Sequence, residues 1–437
     1  MKAKKLRLSS VPGAAFCMAG LLLLLGAGPT PERGPGILKI SRRINEFTVD
    51  LLKHEAGKAG GPANVILSPQ SIFHGVAMSY IASGGDTRKE LAEVVRFPAN
   101  NPQLLHDLAD LRRQFNASAK GKRTDISVAN SLWLDETYAE FRTNYVRDVQ
   151  EAFGASLYRV KFLRKEQASK DINAWIFEKT HGKIQQSVSP GDFASRSSLG
   201  VIDEPALVSV NAVYFKADWG SRFDKASTRN GPFHIAASRT METPMMHQRS
   251  LLLYSENDKV KFLEIPYIDR MYSMYVILPK EVGSVRTLAE TLTTGMIADL
   301  KDTACVYEVD VLLPKFELKS HLGVKDSLSD MGVKSAFDKR TADFDKMIVK
   351  KIAAYRIYLS EIYQDSWVDV HEEGTEAAAA TTAIHFSIGC GTVMRPLPAQ
   401  FHADHPFLFM IVHNQSRSIL FAGWISHPEE LAPLARR

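Results

Sequence analysis

Glu372-Glu373-Gly374-Thr375-Glu376-Ala377-Ala378-Ala379-Ala380-Thr381-Thr382 is the least ordinary stretch of this chain, and the fold turns on how it is read. By propensity it is a capped helix, since Thr375 can cap and alanine is the best helix former. Two features speak against a helix as the whole account. The run continues through Ala383-Ile384-His385-Phe386-Ser387-Ile388-Gly389-Cys390-Gly391 with no helical apolar face, and it ends in Arg395-Pro396-Leu397-Pro398. Such a tail predicts an exposed loop. Small and β-branched residues without proline are also what a segment needs if it is to slide between two strands of an existing sheet. In a strand, Thr375, Ala377, Ala379 and Thr381 share one face. All four are small enough to lie beneath a packed layer without overpacking it.

Away from this stretch the chain is globular in character: 437 residues, 45% apolar and 24% charged. Length alone suggests about three domains, but no linker divides the chain. The net charge of +5, from 54 basic and 49 acidic residues, is mild and spread out, unlike that of a dedicated nucleic-acid binder. Cys17, Cys305 and Cys390 form no CxxC pair and no Cys/His spacing, so neither a disulfide framework nor a zinc site is expected, and no cofactor is implied. Residues 1–28 combine a basic start (Lys2, Lys4, Lys5, Arg7), the apolar run Leu21–Leu25 and the small residues Gly26, Ala27 and Gly28. That order predicts a secretory signal cleaved near Ala27 or Gly28; the alternative, an uncleaved anchor, has a short apolar run against the roughly 20 residues a span needs. The expected organisation is a signal at 1–28, a proline- and glycine-rich spacer at 29–36, one domain at 37–430 and a tail at 431–437. The expected location is extracellular, or periplasmic in a Gram-negative host.

Ile40, Ile44, Phe47, Leu51 and Leu52 recur at helical spacing. Phe73–Ile81 and Arg88–Val95 also read as helices, with Gly84 and Gly85 breaking the first and Asp86 or Thr87 able to cap the second. From Leu207 the character shifts to short runs rich in β-branched and aromatic residues: 207–215, 262–266, 274–278 and 306–312. Ser169–Lys179 and Leu322–Met331 read as helices among them. Phe407–Val412 and Ser418–Trp424 flank a polar turn and predict a buried hairpin. Helices first and strands afterwards, with no repeat, indicate an α+β fold.

A series of stretches in fixed order resembles the serpin family: Asn64-Val-Ile-Leu-Ser68-Pro69-Gln-Ser71-Ile72, Ala129-Asn130-Ser131-Leu132-Trp133, Asn173-Ala-Trp175 and Asn211-Ala-Val-Tyr-Phe215-Lys-Ala-Asp-Trp219. Leu263-Glu-Ile-Pro266-Tyr267, Pro314-Lys-Phe316, the Glu372–Ala377 run and Asp404-His-Pro406-Phe407 continue it through nearly the whole chain. The resemblance implies three β-sheets surrounded by eight or nine helices, with an exposed reactive loop at about 374–398. It also implies a mechanism: a serine-type protease attacks the loop, forms the acyl-enzyme, and is dragged away as the loop becomes a new strand. Distortion of the oxyanion hole then stalls deacylation.

By that resemblance Glu372, Glu373, Gly374, Thr375, Ala377, Ala378, Ala379, Ala380 and Thr381 form the hinge. Ser68, Ser71 and Asn211 fall where the central strands must part, although ordinary buried hydrogen bonding would explain them equally well. Trp219 corresponds to the residue under the point where the loop first inserts, and would also serve as plain core. Gln364 stands where relatives often carry a histidine. The family's usual spacing puts the reactive bond at Ile388-Gly389, which implies an elastase-like target; Phe386 or Met394 would suit chymotrypsin-like enzymes and Arg395 a trypsin-like one. That register also turns His385 inward, where a charge would slow trapping below about pH 6.

The protein is expected to act as a monomer, to bind no nucleic acid, and to be no enzyme: it has no GxSxG, and His371-Glu372-Glu373 lacks the second histidine of HExxH. Arg112, Arg113, Lys120, Lys122 and Arg123, interleaved with acidic residues, read as a solvated face rather than a polyanion site. A non-inhibitory serpin acting as chaperone or carrier is the alternative. The small-residue hinge speaks against it.

Overall fold

The computed structural model describes residues 35–58, 63–97, 103–118, 123–193, 195–196, 202–203, 206–352, 355–375 and 397–428. The helices are α1 (Pro35–Lys58), α2 (Pro69–Ile81), α3 (Gly85–Val94), α4 (Leu104–Ser118), α5 (Thr143–Phe153), α6 (Lys165–Lys179), α7 (Val285–Thr291), α8 (Thr294–Asp302) and α9 (Lys325–Asp330). The strands of the first half are β1 (Val65–Leu67), β2 (Thr124–Asp135), β3 (Ala139–Phe141), β4 (Ser156–Val160), β5 (Ser195–Arg196), β6 (Ile202–Asp203), β7 (Leu207–Asp218), β8 (Arg229–Ala236), β9 (Arg239–Glu256) and β10 (Val260–Pro266). Those of the second half are β11 (Tyr272–Pro279), β12 (Cys305–Pro314), β13 (Phe316–Gly323), β14 (Ile348–Lys350), β15 (Leu359–His371), β16 (Gly374–Thr375), β17 (Ala399–His402), β18 (Phe407–His413) and β19 (Ser418–Ile425).

Two large ladders organise these strands. A six-stranded sheet runs β13-β15-β16-β7-β2-β4, and a nine-stranded ladder runs β1-β19-β18-β11-β10-β9-β12-β17 with β8 on β9. The 18-residue β9 pairs with β8, β10 and β12, so it joins two lobes of the larger ladder. With the six-stranded sheet they make the expected three-sheet α+β fold.

The apolar face of α1 explains its placement: Ile40, Ile44, Phe47, Leu51 and Leu52 are all fully buried. The β18–β19 hairpin is buried along both strands, as its unbroken apolar runs predict. These elements share one large core with α2 and the inner face of the six-stranded sheet. The opposite face of that sheet carries a smaller core, in which Trp175 and Ile176 of α6 meet Trp133, Tyr214, Tyr363 and Trp367.

Several expectations from sequence needed correction. Strands begin well before Leu207: the 12-residue β2 pairs antiparallel with β7, and its buried Asn130 and Ser131 interrupt the apolar alternation that would have revealed it. Leu322 and Gly323 finish β13, opposite Gln364 and Tyr363, so the helix read over 322–331 starts only at Lys325. Helix α3 is capped at Gly84 and starts at Gly85. Thr87 is instead buried and accepts from the Asp343 backbone N–H (3.1 Å). Helix α1 starts at Pro35, inside the stretch read as spacer; proline suits a first helical turn. Cys305 is disulfide-bonded, contrary to the spacing argument, and both other cysteines lie outside the described residues.

Candidate functional site

The six-stranded sheet has a seam. Strands β15 and β7 pair directly and in parallel, from Leu359↔Leu207 to Trp367↔Tyr214. Beyond that last pair they diverge, and the dipeptide β16 fills the gap, antiparallel to both: Gly374 lies opposite His371 and Asp218, Thr375 opposite Val370 and Ala217. The start of the predicted hinge is therefore already one rung of the sheet. Ala377, Ala378, Ala379, Ala380, Thr381, Ile388 and Gly389 lie outside the described residues.

Why these two residues sit there follows from their chemistry. A Cβ on Gly374 would fall 2.2 Å from the Ala217 carbonyl oxygen and 2.6 Å from Asp218 Cα, so only glycine fits. Thr375 is fully buried, and its hydroxyl lies 3.0 Å from the Tyr267 hydroxyl. The ring of Tyr267 stacks on Trp219 at 4.6 Å and 11°. Trp219 is fully buried; its indole N–H donates to the His371 carbonyl (2.9 Å) and its backbone N–H to the Glu373 carbonyl (3.0 Å). Sequence offered Trp219 as the residue under the point where the loop first inserts or as plain core; the structure shows it buried and bonded to the turn before β16.

Glu372 and Glu373 tie that turn down. Glu372 accepts from the Thr228 hydroxyl (2.8 Å) and pairs with Lys315 (3.0 Å), while Glu373 pairs with Lys225 (2.7 Å). Burial pushes the Glu372 carboxyl up, but its hydrogen bonds from Lys315 and Thr228 outweigh this and hold it below the usual carboxylate range. The hydrogen bond from Lys225 lowers Glu373 likewise.

Further along the seam, on the α2 side, lie the other predicted residues. The backbone N–H of Ser68 donates to Gln364 Oε1 (3.0 Å), and Asn211 Nδ2 donates across the seam to the Tyr363 carbonyl (3.1 Å). The hydroxyl of Ser71 reaches Asn130 Oδ1 at 3.4 Å. Ser68, Ser71, Asn211 and Gln364 are thus brought to one stretch of buried seam, with Glu372–Thr375 and Trp219 at its open end. Helix α2 approaches closely here through Gly75, where a Cβ would meet Ser209 Oγ at 3.2 Å and Asn211 Nδ2 at 3.3 Å.

Sequence reasoning missed Tyr267, Thr228, Lys225 and Asn130 as partners. Tyr267, Asn130 and Lys315 stand in the quoted motifs, but no local signal showed what they touch. Among the described residues no group of His, Cys, Asp and Glu is arranged to hold a metal ion.

Comparisons with known proteins place this geometry. A family described as "Serpin (serine protease inhibitor)" matches residues 42–428. A leukocyte elastase inhibitor of Xenopus laevis is 33% identical over 399 residues, covering 89% of this chain and 99% of its own. The crystal structure of Serpin48 from the insect Tenebrio molitor has a TM-score of 0.75 at 27% identity, over 89% of this chain and 98% of that one. Human thyroxine-binding globulin, solved with its ligand, has a TM-score of 0.77 at 22% identity, over 90% of this chain and 100% of that one. That likeness is one of fold. The match spans most of the chain and the relatives span it in turn: this protein belongs to the serpin family.

Proposed function

We propose that this chain is a suicide-substrate inhibitor of serine-type endopeptidases, which traps the acyl-enzyme by drawing its cleaved loop into the β7–β15 seam. The observation that carries this reading is the seating of Gly374 and Thr375 between β15 and β7 above a seam that is closed below them. A strand that has begun to insert needs only to continue.

The register can be continued by counting. Thr375 lies opposite Ala217 and Val370, so each later loop residue would take the preceding residue of both neighbours. Thr381 would then arrive between Asn211 and Gln364, and His385 opposite Leu207, the first residue of β7. The seam would accept the loop up to about residue 385, three residues short of the Ile388-Gly389 bond. A cut there would leave enough free chain to fill the seam. Ala378 would part the stacked pair Tyr214 and Trp367, whose rings are 5.7 Å apart. A larger side chain at that point would overpack the α6 layer.

An elastase-like target is the finer part of the proposal. It rests on Ile388 as the residue before the cut, and fits the printed name of the Xenopus relative. Export is proposed from the basic and apolar order of residues 1–28. Incubation with elastase-, chymotrypsin- and trypsin-like proteases tests the reading. The proposal expects a complex that survives denaturant, with a released peptide beginning at Gly389. Complete cleavage with no stable complex would favour the carrier or chaperone alternative.

A further inference from the structure

Helix α6 lies across the outer face of the six-stranded sheet, packed mainly on β2 and β7 and sharing the smaller core with Tyr363 and Trp367 of β15, over whose Trp367 ring Lys183 also lies at 4.4 Å. The segment that follows it, 180–189, belongs to the same rigid unit. Asn173 of α6 holds it at three points, donating to the Val188 carbonyl (2.8 Å) and accepting from the backbone N–H groups of Ser187 (2.9 Å) and Val188 (3.0 Å). This strap crosses the seam. On the β2–β7 side the His181 ring lies tilted against Tyr214, centroids 4.8 Å apart, and its Nε2 is 3.6 Å from Asp125. On the other side the Ser187 hydroxyl donates to Asp365 Oδ1 of β15 (2.5 Å), which also lies 3.0 Å from His321 Nδ1 of β13.

Asp365 is a demanding partner. Its side chain is 1% exposed, and its second oxygen, Oδ2, is buried without a hydrogen-bond partner. The donors on Oδ1 therefore carry the whole solvation of a buried carboxylate. A new strand between β7 and β15 must carry β15 and β13 away from β7 by about one strand spacing, roughly 4.8 Å. A 2.5 Å bond from a strap seated on β2 and β7 cannot follow that shift.

We propose that Ser187 is a positioning residue for loop insertion: it fastens Asp365, and with it β15 and β13, to the α6 unit, and its release sets the rate at which the seam opens. The proposal rests on the insertion mechanism above. It assigns to Ser187 a contact made in the native state and broken in the inserted one.

The test compares wild type, Ser187→Ala and Ser187→Thr. A synthetic peptide copying residues 374–385 reads seam opening without any protease, by its rate of incorporation into the native protein. Loss of a charge-assisted bond predicts incorporation about tenfold faster in Ser187→Ala, with Ser187→Thr near wild type. Melting of the native form should fall in Ser187→Ala, while the loop-cleaved form melts as in wild type. A general packing defect would lower both. Equal incorporation rates, or equal losses in native and cleaved forms, would overturn the proposal. Failure of the wild type to trap any protease would instead count against the insertion mechanism, while the peptide rates still read the role of Ser187.

Discussion

Replacing Gly374 by alanine puts a methyl group where the structure has backbone. The added carbon would lie 2.2 Å from the Ala217 oxygen and 2.9 Å from the Ala217 carbonyl carbon, and no side-chain movement relieves either contact. The hinge must withdraw from the mouth of the seam. Thr375 then gives up its bond to Tyr267, worth about 1 kcal/mol, and the burial of its methyl group, worth about 0.8 kcal/mol. If the first step of insertion requires a seated hinge, this loss of about 2 kcal/mol slows insertion about 30-fold. Deacylation of the bound protease is untouched, so the ratio of cleaved to trapped inhibitor rises by the same factor of about 30. Titration of a target protease, with gel quantification of cleaved and complexed inhibitor, measures that ratio. An unchanged ratio in Gly374→Ala would show that hinge seating has no part in trapping.

Other consequences follow from the same structure. Trp219→Phe keeps an aromatic ring against Tyr267 but loses the indole bond to His371, and should lower native stability by about 1 kcal/mol in denaturant unfolding. Glu372 has a folded-state pKa below its ordinary value of 4.5, so its contribution is present above that value and is lost as pH falls through the depressed one; Glu372→Gln should flatten this acid limb of the stability curve. His74 and His413 are buried and held near pKa 4. The unfolded chain takes up their protons from pH 6.5 downward while the folded chain resists, so native stability should drop between about pH 6.5 and 4, by at most about 3 kcal/mol for each histidine. His74→Gln should show a shallower drop, read by melts across that range. His385→Gln should remove any loss of trapping below about pH 6; a wild-type profile that is already flat would contradict the inward placement of His385.

Much of this architecture is legible in the sequence because it depends on local patterns. The stripe of α1 and the unbroken runs of β18 and β19 announce buried elements. The ties that hold the hinge and the seam are of another kind. Glu372 meets Thr228 and Lys315, Ser187 meets Asp365 and His321, and Thr375 meets Tyr267. Each joins residues far apart in the chain that only the tertiary fold brings together, which no single sequence displays. Strand β2 escaped notice for a related reason: its interior polar residues are satisfied by the fold, Ser131 donating across the sheet to the Val210 carbonyl (3.0 Å) and accepting from the Trp133 indole of its own strand (2.9 Å).

Thermal unfolding of the native protein beside the same protein cut in its loop tests the central claim most directly. For about 390 folded residues, a rise of about 10 °C corresponds to about 8 kcal/mol. If the loop completes the strand begun at Gly374 and Thr375, the cut form should melt about 10 °C or more above the native one. A cut form that melts at or below the native temperature would contradict insertion into the β7–β15 seam.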